Sequence, residues 1–304
     1  MQYEILVKKV LSSNGKNMLA GIVYLPKGEI KGYFHIVHGM TEYIGRYDRF
    51  MKILAENGYI ACGYDHLGHG HTVNDDSELG FIAEHGGDDL LARDVKVFHD
   101  AMKSEYGDLP YYLMGHSMGS FVVRMAVQNY VTPDKLIIMG TGGPKSIVVF
   151  GLYLSQIIQN IKGARYYSKL VKYLAFGAYN ARCPKSEGPH AWLTNDSDIR
   201  DKYHKDKFCT FELTISTMHD IISLTYKSNR KKWFSSVAKK MPILIVSGKD
   251  DVVGDYGKGV ISVRDNLVKY GANVTFKLYE NNRHELLNDN AREECTKDIL
   301  DFIK

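Results

Sequence analysis

The chain has 304 residues, 44% apolar and 24% charged, with a formal net charge of +4. That length buries a large core and is long for one domain. The small charge excess, spread so thinly, argues against a nucleic-acid partner. The ordinary composition argues against disorder, and the longest apolar run, Ile147 to Leu154, is far short of the ~20 residues that span a bilayer.

In chain order, Tyr3 to Val10 and Met18 to Tyr24 read as strands around the turn-rich Ser12-Ser13-Asn14-Gly15. Tyr33 to Val37 reads as a buried strand, Tyr47 to Glu56 as a helix stopped by Asn57-Gly58, and Tyr59 to Tyr64 as a further strand. Asp88 to Glu105 has helical periodicity, with Leu91, Val95, Phe98 and Met102 on one face. A short apolar run from Tyr111, a helix-length stretch from Phe121 to Tyr130 and a strand at Lys135 to Met139 continue the alternation. The rhythm breaks at Thr141-Gly142-Gly143-Pro144 and resumes at Pro242 to Ser247, Val260 to Tyr270, Val274 to Tyr279 and Ala291 to Ile303. Alternating segments predict an α/β fold with a mostly parallel central sheet flanked by helices. Residues 144–229 read as an inserted helical cap, leaving 1–143 and 230–304 as the core.

Gly115-His116-Ser117-Met118-Gly119 sits between a strand and a helix, the context of a nucleophile elbow. The two glycines leave room for strand and helix to meet around a strained serine. A serine needs a base to take its proton, and an elbow serine is followed in sequence first by its acid and then by its histidine. After His219 only His284 remains, in a polar loop behind a strand. The acid should follow Ile243 to Ser247, where Asp250, Asp251 and Asp255 compete. An oxyanion hole needs the amide after the nucleophile, Met118, and one from His38-Gly39-Met40, assigned to Met40. His116 is read as packing behind the elbow.

Asp65-His66-Leu67-Gly68-His69-Gly70-His71 is rich in metal-ligand residue types, but it lacks helical His-x-x-x-His spacing and reads as a tight loop beside the elbow. The serine chemistry calls for no metal or cofactor. Lys231-Lys232 and Lys239-Lys240 read as a solvated surface or one that meets anionic headgroups. The N-terminus lacks a secretory pattern, and four scattered cysteines read as free thiols, so a cytoplasmic setting is expected.

These residues resemble the monoacylglycerol lipase and lysophospholipase branch of the serine α/β-hydrolases, a group also similar to serine aminopeptidases. The match rests on His38-Gly39-Met40-Thr41-Glu42 with Arg46-Tyr47, on Asp65-His66-Leu67-Gly68-His69-Gly70 and on the elbow. Gly248-Lys249-Asp250-Asp251-Val252-Val253, Arg283-His284-Glu285-Leu286-Leu287-Asn288 and Trp192-Leu193-Thr194-Asn195-Asp196 add to it. The resemblance implies an α/β-hydrolase fold and places the acid on Asp251. It sets Glu42 and Arg46 near the oxyanion loop, as substrate contacts or as an ion pair that holds the loop. Where the family often carries Arg in the Asp-x-x-Gly-His-Gly loop, this chain has His66 or Leu67.

The expected activity is hydrolysis of a monoacylglycerol or lysophospholipid-like ester with one acyl chain, through an acyl-enzyme. A short-chain carboxylesterase and an aminopeptidase-like peptidase are the alternatives. The peptidase would need an acidic anchor such as Glu187, Asp196, Asp198 or Glu212. The apolar run from Ile147 to Ile161 and the aromatics Tyr166, Tyr167, Tyr173, Phe176 and Tyr179 are read as packing, as an acyl pocket or as a rim that touches membranes.

Overall fold

The computed structural model describes residues 2–237 and 239–304. In chain order the elements are β1 (Tyr3–Leu11), β2 (Met18–Pro26), β3 (Gly32–Val37), α1 (Asp48–Glu56), β4 (Tyr59–Tyr64) and α2 (Gly87–Tyr106). Then come β5 (Tyr111–His116), α3 (Met118–Asn129) and β6 (Lys135–Met139). Four longer helices follow with no strand among them: α4 (Ile147–Lys162), α5 (Lys169–Phe176), α6 (Ser197–Lys205) and α7 (Ile215–Ser228). The chain ends with α8 (Lys231–Val237), β7 (Ile243–Gly248), α9 (Lys258–Lys269), β8 (Val274–Tyr279) and α10 (Arg292–Ile303).

The strands form one eight-stranded sheet in the order β1-β2-β4-β3-β5-β6-β7-β8. β1 with β2 and β2 with β4 are antiparallel, and every other pair is parallel. The apolar runs read as central strands are buried on both faces, as parallel strands covered by helices must be. In β6, Leu136 and Ile138 join one core while Ile137 and Met139 join the other. In β7, Ile243 and Ile245 divide from Leu244 and Val246 in the same way. The first core is closed by α2, α3, α8 and α9, the second by α1 and α10.

Leu91, Val95, Phe98 and Met102 of α2 are all buried against the sheet, as their spacing predicts. Residues 144–229 hold four α-helices, and the last of them packs on two sides. Ile221 and Leu224 of α7 belong to the main core, while Ile215 and Met218, a turn or two earlier, pack with Val171 of α5. Helix α7 therefore packs on α4 and α5 on one side and on α2 and α3 on the other.

Candidate active site

The β5–α3 junction turns at Ser117, which has φ 53° and ψ −120°, a left-handed conformation that a residue with a Cβ seldom adopts. Its amide donates to Met139 O at 3.0 Å, which fixes the turn to the end of β6. A Cβ on Gly115 would lie 2.3 Å from Gly119 O, and one on Gly119 would lie 2.1 Å from Val37 O. Both glycines are therefore required by close backbone approach. Gly39 sits tightly beside the elbow: a Cβ there would be 2.7 Å from Glu42 Oε1 and 3.0 Å from Ser117 Cβ.

The loop after β7 carries three aspartates, and the structure separates them. Asp251 is fully buried, and its Oδ2 lies 3.0 Å from His284 Nδ1. Its carboxylate also accepts from Val253 N–H at 2.9 Å and from Ser247 Oγ at 3.2 Å. Burial alone would raise this carboxyl; the charge and hydrogen bond of His284, with those donors, hold it below the usual carboxylate range. Asp250 is exposed, and Asp255 is half-buried. His284 lies on the loop after β8, and its Nε2 is buried without a hydrogen-bond partner among the described residues. The indole of Trp192 lies 5.1 Å from the His284 ring, tilted by 40°.

The loop after β3 approaches the elbow from the other side. Met40 lies in a turn and Met118 opens α3; among the described residues neither amide donates to a protein acceptor. The loop is held by Glu42, whose Oε1 accepts from Gly39 N–H at 2.5 Å and Tyr47 OH at 3.0 Å and lies 3.0 Å from His116 Nδ1. Glu42 Oε2 accepts from Arg46 Nη1 at 3.0 Å, and Arg46 forms a two-pronged pair with Glu285 at 2.6 and 2.7 Å. Burial would raise Glu42, but the hydrogen bond and charge of His116, with Arg46, hold it well below the usual range. Burial pulls His116 the other way, and Glu42 outweighs it, so its imidazole is raised. Glu42 and Arg46 do not line the cavity described below. Their polar atoms are spent on one another, on the loop and on Glu285, which favours the ion pair over a substrate contact.

His116 Nε2 contacts His284 O at 3.2 Å, so this neighbour of Ser117 braces the histidine loop. In the histidine-rich segment, His66 N–H donates to His38 Nε2 at 2.9 Å, and His66 Nε2 donates to His38 O at 3.1 Å. Asp65 accepts from Ile44 N–H at 2.8 Å and His71 N–H at 2.7 Å. Burial lowers His38, His66 and His69. The segment clamps the base of the loop after β3, with the His66 imidazole as one of its ties.

A cavity of about 590 Å³ extends from Met40 and Thr41 into the inserted helices. Its lining mixes apolar side chains such as Tyr167, Phe176, Tyr179, Leu213 and Met218 with polar ones such as Asn180, His190, Tyr203 and His204 and the charged Lys169, Lys172 and Glu212. No residue of α4 lines it. Leu154 and Ile158 of α4 pack inward, while Ile147, Phe150, Tyr153, Ile157 and Ile161 are exposed. A smaller hollow of about 250 Å³ lies beside Pro144, Val149 and Arg230; neither cavity is lined by Ser117, Asp251 or His284, but the larger one reaches Met40 and Trp192, which adjoin them.

A match to the family described as serine aminopeptidase, S33, runs over residues 28–291. The chain belongs to this family. A monoglyceride lipase homolog of monkeypox virus is 24% identical over 282 residues, covering 90% of this chain and 89% of that protein. The monoglyceride lipase of Mus musculus is 31% identical over 97 residues, covering 32% of this chain and 30% of that enzyme. Among solved structures, a thermostable carboxyl esterase from Bacillus coagulans in complex with glycerol superposes with a TM-score of 0.93 at 28% identity, over 98% of this chain and 97% of that one. A monoglyceride lipase variant from Saccharomyces cerevisiae gives 0.73 at 18% identity, over 99% and 94%. This S33-family chain is a serine hydrolase with the α/β-hydrolase fold, of the lipase and esterase kind.

Several side chains that organise the site carried no role in the sequence reading: Tyr47, Trp192, Tyr203, Arg283 and Glu285. Glu285 adjoins His284, but its partner Arg46 lies 239 residues away, so no local pattern marks the pair. Arg283 donates to Ala191 O at 2.7 Å, and Glu285 N–H donates to Leu193 O at 2.8 Å. Both attach the histidine loop to the inserted segment.

Proposed function

We propose that the protein cleaves esters of single-chain lipids, monoacylglycerols or lysophospholipids, through Ser117, His284 and Asp251. The observation that carries this reading is the buried His284 ring, with Nδ1 bonded to Asp251 and Nε2 left without a partner. Asp251 keeps the proton on Nδ1 and stabilises the imidazolium, so Nε2 is the free base. It takes the Ser117 proton as Oγ attacks the ester carbonyl. The amides of Met40 and Met118 receive the oxyanion, each worth ~10²–10³-fold in rate. His284 then protonates the leaving alcohol, and water releases the acid from the acyl-enzyme.

The cavity beside Met40, with both apolar and polar side chains in its lining, supports a substrate that has an apolar chain and a polar end. The names of the viral and mouse relatives and the glycerol bound to the Bacillus esterase point the same way. Residues 144–229 then act as the cap over the site. The outward face of α4 and α5, with Tyr153 at 70% exposure and Ile161 and Tyr173 at 72%, suits peripheral contact with a lipid surface. No helix among the described residues is long and apolar enough to cross a membrane.

A peptidase reading finds less support. Glu187 pairs with Arg283, Asp196 with Arg292, and Glu212, which lines the cavity, with Lys172. The test is a panel of monoacylglycerols with acyl chains of about two to sixteen carbons, lysophospholipids and aminoacyl amides, run with wild type and Ser117→Ala. Turnover that favours long-chain esters and disappears in Ser117→Ala is expected. A preference for only the shortest chains reduces the protein to a general carboxylesterase, amide cleavage favours the peptidase, and turnover that survives Ser117→Ala sinks the mechanism.

A further inference from the structure

We infer that Tyr203, a cap residue, is a positioning residue that sets the oxyanion loop for catalysis by clasping Thr41. The inference rests on the reading of Met40 N–H as an oxyanion donor.

Thr41 directly follows Met40 and has φ 48°, a left-handed conformation that is costly for a β-branched residue. Such a residue persists only where its surroundings hold it. The Tyr203 hydroxyl lies 2.8 Å from Thr41 O and 2.8 Å from Thr41 Oγ1. A phenol has one proton, so the assignment is fixed: Tyr203 donates to the carbonyl, which can only accept, and the threonine hydroxyl donates back to Tyr203. Both polar groups of Thr41 outside its amide are thereby bound to one side chain from helix α6. The other side of the loop is held by Glu42 on Gly39 N–H. Met40 lies between these two attachments, and its amide direction follows from them.

The clasp is built on a firm base. Tyr203 is buried, and its ring lies 4.9 Å from the Arg46 guanidinium that joins Glu42 to Glu285. The N-terminus of α6 is capped by Asp196, which also pairs with Arg292. Just before it, Thr194 Oγ1 donates to Asn288 O at 2.7 Å and Asn195 N–H to Asp289 Oδ1 at 3.0 Å. Helix α6 is thus fastened to the segment that carries His284, and Tyr203 extends that attachment to the oxyanion loop. Burial raises the phenol far above its ordinary value, so it remains a donor through the neutral range.

The test compares wild type, Ser117→Ala, Tyr203→Phe and Thr41→Val on p-nitrophenyl and glyceryl esters of the same acid. Tyr203→Phe keeps the ring over Arg46 and removes only the hydroxyl. The expected result is a kcat lower by about 10- to 100-fold, equal for the two esters, with KM within about twofold and the pH profile unchanged, because a displaced donor weakens the transition state more than binding. Thr41→Val should give a smaller loss in the same direction, and the double variant should be no worse than Tyr203→Phe alone. If Tyr203→Phe does not fold, Thr41→Val carries the test, with an equal kcat loss on both esters required. Unchanged kcat in the folded variants overturns the inference while leaving the proposed function intact. A loss confined to the glyceryl ester also overturns it, since Tyr203 would then be contacting the leaving alcohol. Wild-type turnover that persists in Ser117→Ala overturns the proposed function and the clasp together.

Discussion

At Ser117 the backbone conformation and the identity of two neighbours are one requirement. A left-handed serine brings the start of α3 so close to β3 that Gly119 faces Val37 O and His38 O with no room for a methyl group. Gly119→Ala is expected to cost about 3 kcal/mol or to displace the loop after β3. Chemical denaturation and ester turnover report on each, and a variant with wild-type midpoint and rate would show that the junction relaxes freely. The elbow and its late histidine were legible because both leave local marks: a glycine-spaced serine and a lone histidine after the last strand. The choice among Asp250, Asp251 and Asp255 left no such mark. It depends on which carboxylate reaches His284, a three-dimensional fact: Asp251 is buried against the Nδ1 of His284 while Asp250 is exposed. Glu42 and Arg46 were visible as a pair, but not their third partner, Glu285, because an ion pair between distant loops has no periodicity.

Among the elements, strands were read well wherever both faces are buried, since β3, β5, β6 and β7 are short apolar runs between turns. Helix α7 was harder to read, because its two ends pack on different partners. Its join to α2 also holds an acid in an unusual state. Asp220 of α7 is buried beside Asp88 of α2, with Oδ2 lacking a partner, and burial followed by the Asp88 charge pushes it up to about 8. Ser223 and Lys227 both bond to Asp88. An unfolded aspartate titrates near ~3.9. The folded value is the higher one, so the stabilising contribution of this group is full below about 4 and is lost as pH rises toward about 8. Asp220→Asn should therefore flatten the pH dependence, raising Tm relative to wild type at pH ~8 and changing it little at pH ~4. Equal shifts at both pH values would mean that Asp220 does not titrate in this range.

For the whole molecule, the alternation of segments is enough to predict a parallel sheet with a helical insertion. Which way the insertion faces is not. The apolar residues of α4 are consistent with a pocket or with an outer surface, and helical spacing alone does not tell an inward stripe from an outward one. In the structure the residues after 144 that line the pocket begin at Tyr167, and α4 turns Phe150, Tyr153 and Ile157 to the outside. Replacing these three by Ser should lower partition onto phosphatidylcholine vesicles by about tenfold or more while leaving kcat on a soluble ester within about twofold. Unchanged partition would remove the membrane role from this face. Residues 144–229 hold one of the chain's 2 tryptophans, Trp192, against the histidine loop, while the other, Trp233, is buried on Arg124. An indole beside an imidazole loses emission when the imidazole gains a proton. Trp192 thus places an optical reporter next to the group proposed to carry the proton, and with Trp233 replaced by Phe the steps of a single turnover become readable as changes in emitted light.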